Sequence, residues 1–178
     1  MGSRTMPYGH CFMGGKGSIH SSYSEIAGYM DAMQASYGEQ RTTEILSQQR
    51  HNTTVYPSFT VKDAIQIVRV ARPIAVDKTL VETWHFKLKG APDEMLHRTI
   101  TYSRLINSPG SMVGPDDWDC YRRMQQSLHS DASTWVDMRR YLGRNEPDGN
   151  VHVAPGTSDE SVRNQYRAWC DYLLDEAQ

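Results

Sequence analysis

Apolar side chains in this chain change their spacing twice, near residue 50 and again near residue 91. Before the first change, Ile26, Tyr29, Met30, Met33 and Tyr37 recur at helical intervals and Gly38 supplies a stop. Ser22 and Glu25, three apart, form a capping box at the head of that helix. A second short helix is expected over residues 39–49, burying Ile45 and Leu46. Between the two changes the interval is two, as in a strand. Thr53, Val55, Pro57, Phe59 and Val61 alternate, residues 64–72 are rich in β-branched side chains, and Leu80, Trp84, Phe86 and Leu88 share one face. The connector of residues 73–78 is short enough to make the last two strands an antiparallel hairpin.

Helical spacing returns after Ala91-Pro92 and breaks at Asn107-Ser108-Pro109-Gly110. A further helix begins at Gly114-Pro115-Asp116-Asp117. A last one opens with the box Thr157 to Glu160 and buries Val162, Tyr166, Trp169 and Leu173. Residues 1–20 and 141–156 read as loops. Helices, three strands between about Asn52 and Lys89, then helices again define an α+β domain with an antiparallel β-sheet gripped by helices.

Composition limits function by exclusion. The net charge of -2 lacks the basic excess of a nucleic-acid footprint, and no run reaches the ~20 apolar residues of a membrane-spanning helix. Cys11, Cys120 and Cys170 are odd in number and scattered, which fits a reducing cytoplasm better than a disulfide framework. No CxxC pair marks zinc or an iron–sulfur cluster, and no glycine-rich phosphate loop sits at a strand–helix junction. These features describe a cytoplasmic domain with no nucleic-acid or membrane partner.

Asp116-Asp117 is the most informative pair. Carboxylates in a first helical turn are stabilised by the helix dipole, by roughly 0.3–1 kcal/mol each, and that explains the pair without any function. Asp117, however, shares a helical face with Tyr121, Met124 and Leu128, whereas Asp116 and Asp119 face elsewhere. A carboxylate turned into a core needs a partner, and a metal ion is one of the few adequate ones. Asp117 is therefore expected to point inward and Asp116 to be the more exposed.

The words RHNTTVYPSF (residues 50–59), IVRVARPIAVDKTLVETWHF (67–86), KGAPDE (89–94), INSPGSMVGPDDWDCY (106–121) and TSDESVRNQYRAW (157–169), with GHCF at 9–12, resemble one family in order along the chain. It is the large (alpha) subunit of the Rieske non-haem iron aromatic-ring-hydroxylating dioxygenases. The resemblance implies the C-terminal portion of the catalytic domain, a helix-grip fold of the START/Bet v 1-like type, and O2-dependent hydroxylation of an aromatic small molecule. It implies a mononuclear Fe(II) held by two histidines and one carboxylate, the role falling on Asp117 with Asp116 as runner-up. Asn107, Met112 and Val113 would approach the substrate. A 2Fe-2S cluster, fed by a ferredoxin or reductase, belongs to an N-terminal Rieske domain, and a homo-oligomer is the family's usual assembly.

The family's paired histidine ligands and Rieske motifs would precede residue 1, so the site is expected to be incomplete in this chain and the chain alone inactive. His10 and His20 are separated by nine residues in a glycine-rich stretch, a spacing unlike metal ligands from one short element, and they read as surface histidines. His51 and His85 read as solvated or hydrogen-bonded. The contrasting reading is a non-catalytic module that binds hydrophobic ligands on the same scaffold.

Overall fold

The computed structural model describes residues 2–14, 26–47, 50–62, 65–130 and 134–175. In chain order it contains β1 (Gly2–Thr5), a 3-10 turn (Pro7–Gly9), β2 (Cys11–Gly14), α1 (Tyr29–Tyr37), α2 (Glu39–Ser47), β3 (Arg50–Val55), β4 (Phe59–Lys62), β5 (Ile67–Ala75) and β6 (Lys78–His85). There follow α3 (Asp93–Asn107), α4 (Val113–Ser127), β7 (Glu146–Asp148), β8 (Val151–Pro155) and α5 (Glu160–Asp175). The eight strands form one antiparallel sheet in the order β6-β5-β4-β3-β2-β1-β8-β7.

The β5–β6 hairpin is as expected, but the sheet is larger than the alternating block of residues 52–89. Residues 53–61 are not one strand. They reverse between β3 and β4 at residues 56–58, where the Tyr56-Pro57 bond is cis. The glycine- and methionine-rich start, expected as loop, pairs β1 with β2 and brings β8 from the other expected loop alongside β1. These strands are only three to five residues long, too short for alternation to show above their Gly, Pro and charged residues. The capping box at residues 22–25 lies outside the described residues.

Register separates the two faces of the sheet. Thr5 pairs with Cys11, Cys11 with Thr54, Thr54 with Thr60 and Thr60 with Arg69, so these five share one face with Ser3 and Ile67. Ser3, Thr5, Cys11 and Ile67 are buried, which makes this the helix-bearing face. Ile67, 1% exposed, alone contributes roughly 1.5–3 kcal/mol of apolar burial. A smaller cluster of Ile26, Tyr29 and Met95, with Met33, Leu46 and Ala91 against it, ties α1 and α2 to the start of α3.

Helix α5 covers the β1–β2 end of that face. Asn164 Nδ2 donates to the carbonyls of Met6 (2.9 Å) and His10 (3.1 Å), and Ala168 is buried. Gly9 permits the approach: its φ is +79°, and a Cβ there would lie 2.8 Å from the Tyr56 ring and 3.0 Å from Ala168 Cβ. The expected inward face of α5 is corrected by this packing. Val162, Tyr166, Trp169 and Leu173 are all exposed, because the helix docks through hydrogen bonds and a small residue rather than through its large apolar ones. Its head is also held differently from a capping box. The Glu160 N–H donates to Ser158 Oγ (3.1 Å), while the Glu160 carboxylate turns to Arg163 and Arg167.

Candidate functional site

The turn from α3 into α4 fixes where Asp117 lies. Ser111 Oγ donates to the carbonyl of Ile106 (2.8 Å) and accepts from the N–H groups of Val113 and Gly114 (both 3.3 Å), which satisfies two orphan donors at the head of α4. Gly114 is buried against the end of α3. A Cβ at that position would stand 2.8 Å from the backbone oxygen of Ile106, so only glycine lets the two helices come this close. Asp117 follows one turn later.

Beside this junction the sheet presents two cations. Lys62 pairs with Ile67 and Thr60 with Arg69, so Lys62 and Arg69 are diagonal neighbours on the helix-bearing face, roughly 7–8 Å apart along the backbone. Both are half-buried. Burial pushes the Lys62 pKa down, the Arg69 charge pushes it further, and the Asp117 carboxylate opposes them in part. Asp117 thus lies within electrostatic reach of Lys62, yet no ion pair joins it to either cation among the described residues.

Helix α3 closes the other side. Arg69 Nη2 donates to Asn107 Oδ1 (3.3 Å), and Asn107 Nδ2 donates to Ser103 Oγ (3.1 Å), which orients the amide. Thr99 Oγ1 donates to Gln66 Oε1 (3.0 Å), and Gln66 holds a positive φ of 45° between sheet and helix. Arg69 Nε is buried with no hydrogen-bond partner among the described residues. Tyr102 stands near enough for the Arg69 charge to act on it, although burial dominates and raises its pKa.

The residues expected to build the site are only partly gathered. Asn107 is half-buried and bonded to the sheet, whereas Met112 is 88% and Val113 46% exposed. The inward burial expected of Asp117 is corrected: Asp117 and Asp116 are both exposed, and so are Tyr121, Met124 and Leu128 on the face that Asp117 shares. Helix α4 is held at its head by α3.

Among the described residues no three His, Cys, Asp or Glu side chains come together in a way that could hold a metal ion. His10 has a structural task, since its Nδ1 accepts the Tyr56 N–H (3.1 Å). His85 is exposed at the end of β6, and His20 lies outside the described residues, as does the His51 side chain. The donor set of the described residues therefore does not fit a three-ligand iron centre.

Comparison with known proteins decides the family. A family described as "Ring hydroxylating alpha subunit (catalytic domain)" matches residues 7–153. The chain belongs to this family. The ring-hydroxylating assignment is reinforced by the 2-halobenzoate 1,2-dioxygenase large subunit of Burkholderia cepacia, 32% identical over 135 residues that cover 75% of this chain and 27% of that one. Naphthalene 1,2-dioxygenase shares the fold, both as a mutant bound to phenanthrene and with indole in its active site. Each superposes with a TM-score of 0.68 at 18% identity, covering 94% of this chain and 41% of the other. The chain thus spans about a quarter of the curated relative and two-fifths of the solved ones.

Lys62, Gln66 and Arg69 escaped the sequence reading. Each reads as a polar position in an alternating strand or its flank. The signal that could have found them is register: once the β4–β5 hairpin is placed, two cations fall on the same half-buried face.

Proposed function

We propose that this domain serves an aromatic-ring-hydroxylating oxygenase, an enzyme that inserts oxygen from O2 into an arene using electrons from a ferredoxin or reductase. Family membership carries the reading, and it favours the oxygenase over a non-catalytic module on the same scaffold. The relatives' printed names support aromatic substrates, since those proteins act on or bind 2-halobenzoate, phenanthrene and indole. Degradation of aromatic compounds is the corresponding metabolic role.

In this reading Asp117 supplies the carboxylate of a mononuclear iron site. The imidazoles and the 2Fe-2S cluster are assigned to other segments of the enzyme, as the family resemblance implies. Gly114 and Ser111 set the position of Asp117, and Asn107, Met112 and Val113 line the approach of the ring. The exposed apolar face of α4 and the exposed side of α5 are consistent with burial in a larger, homo-oligomeric assembly. No described helix is long and apolar enough to cross a membrane. Free thiols at Cys11, Cys120 and Cys170 accord with a reducing, cytoplasmic setting.

The test is incorporation of label from 18O2 into an arene by the complete iron-loaded oxygenase that carries this domain. Label in the product with the native sequence, and none with Asp117→Asn, is expected. Absence of label with the native sequence across benzoate, toluene and naphthalene overturns the reading.

A further inference from the structure

Strand β6 closes one end of the sheet, and no described strand pairs with its outer side. The direction of its backbone groups follows from one bond. The Phe86 N–H donates to the Gln66 carbonyl (2.9 Å), in register with Trp84 on Val68, Glu82 on Val70 and Leu80 on Arg72. Hydrogen-bonded and non-hydrogen-bonded pairs alternate along an antiparallel ladder, so these even-numbered residues are the ones that bond to β5. Thr79, Val81, Thr83 and His85 therefore turn their N–H and C=O groups away from the sheet. The strand runs for eight residues, so this edge is blunted neither by brevity nor by proline, and Leu80, Val81 and Trp84 on it are exposed.

This edge is complementary to itself. When two copies of β6 meet antiparallel about a two-fold axis at Leu80, Thr79 of one lies opposite Val81 of the other, and their outward backbone groups satisfy each other. On the face away from the helices Leu80 then meets Leu80, Lys78 meets Glu82, and Trp84 reaches the exposed Val76 at the hairpin tip. These are non-hydrogen-bonded pairs, in which side chains approach most closely. Lys78 has no ion pair within its own chain among the described residues, and Glu82, which holds Arg72, receives a second cation. Neighbouring registers lose the match. An axis at Thr79 sets Lys78 against Leu80, one at Val81 sets Leu80 against Glu82, and one at Glu82 sets two carboxylates against each other. We propose that β6 is a self-association edge, through which two copies of this chain join in the Leu80-centred register and continue the sheet across the contact. The interface is separate from the exposed faces of α4 and α5, and it does not rest on the oxygenase reading. A pair of eight-residue strands is smaller than the about 800 Å² per partner of a standard interface, so the dimer is reversible rather than permanent.

Sedimentation equilibrium of the full 178-residue chain over a range of concentrations tests it. The native chain is expected to dimerise. Lys78→Glu opposes two carboxylates at each end of the strand pair and Glu82→Lys opposes two ammonium groups, so each variant alone should weaken the dimer at least about tenfold. Mixed in equal amounts, the two variants oppose unlike charges at both ends, and association should return to the native level. Circular dichroism establishes that each variant is folded. If Glu82→Lys is not, because it also gives up Arg72, then Leu80→Lys, which sets like charges on the axis, joins Lys78→Glu in the comparison, and both should dissociate. A native chain that stays monomeric up to about 500 µM, a dimer untouched by the variants, or charge-reversed variants that do not recover on mixing overturns the proposal. Each of these results leaves the arene reading standing.

Discussion

Arg69 on β5 and Asn107 at the end of α3 are joined by a 3.3 Å hydrogen bond, a direct side-chain link between the sheet and the helix that leads to Asp117. Its length and partial exposure place it in the range of an ordinary bond. Asn107→Leu should therefore lower stability by about 0.5–1.5 kcal/mol, read as a shift of the urea midpoint with an unchanged slope. A change in slope as well would show that α3 no longer packs on the sheet.

The head of helix α5 is anchored by charge. Glu160 is 1% exposed and accepts from Arg163 and Arg167, and Arg163 also donates to the carbonyls of Met138 and Arg140, which pins the preceding loop. Glu160→Ala leaves Arg163 without its carboxylate and should cost about 3–5 kcal/mol in chemical denaturation.

The same carboxylate makes stability depend on pH. Burial pushes its pKa up, but hydrogen bonds from Arg163, Arg167 and Asn145 outweigh that and leave it below the ordinary value. A folded pKa below the unfolded one gives stability that is full above the unfolded value, near 4.5, and is lost as pH falls towards the folded one. Thermal midpoints of native chain and Glu160→Gln should differ most at neutral pH and converge in acid. A gap that does not narrow below pH 4.5 would contradict this assignment.

Gly114→Ala sets two effects of opposite sign against each other. Alanine gains roughly 1 kcal/mol of helix propensity over glycine. Its Cβ, however, would stand 2.8 Å from the backbone oxygen of Ile106, an atom that cannot rotate away. The steric effect should win, giving net destabilisation of about 1–3 kcal/mol and movement of α4 away from α3. Stabilisation on thermal denaturation would show that the two helices are less closely held than the structure has them.

The parts of the fold visible in the sequence were those in which side-chain chemistry and burial coincide. The β5–β6 hairpin could be read because Ile67, Val68, Val70, Leu80 and Val81 are β-strand formers around a short connector. α3 could be bounded because Pro92 and the Asn107-Ser108-Pro109-Gly110 stretch punctuate it. Where a helix docks by polar contacts the same reasoning misleads: α5 turns Asn164 and Ala168 inward and leaves Trp169 outside. β1 and β8 were hidden because their inward residues, Ser3, Thr5 and Ala154, are small or polar. The site shows the same limit. Asp117 stood out as one of a pair, whereas Lys62 and Arg69 gain meaning only from a pairing register across two strands.

In the proposed function Asp117 is a single ligand contributed to an iron site that other segments complete. Anaerobic Fe(II) titration of the 178-residue chain, followed by desalting and metal analysis, tests it most directly. One carboxylate without imidazoles gives neither the ligand set nor the geometry that retains Fe(II), so weak binding and no retained iron are expected. Asp117→Asn should behave alike, with its unfolding free energy within about 0.5 kcal/mol of the native chain, because an exposed carboxylate is being changed. One tightly held iron per chain, lost in Asp117→Asn, would contradict the claim and show that this chain completes the centre by itself.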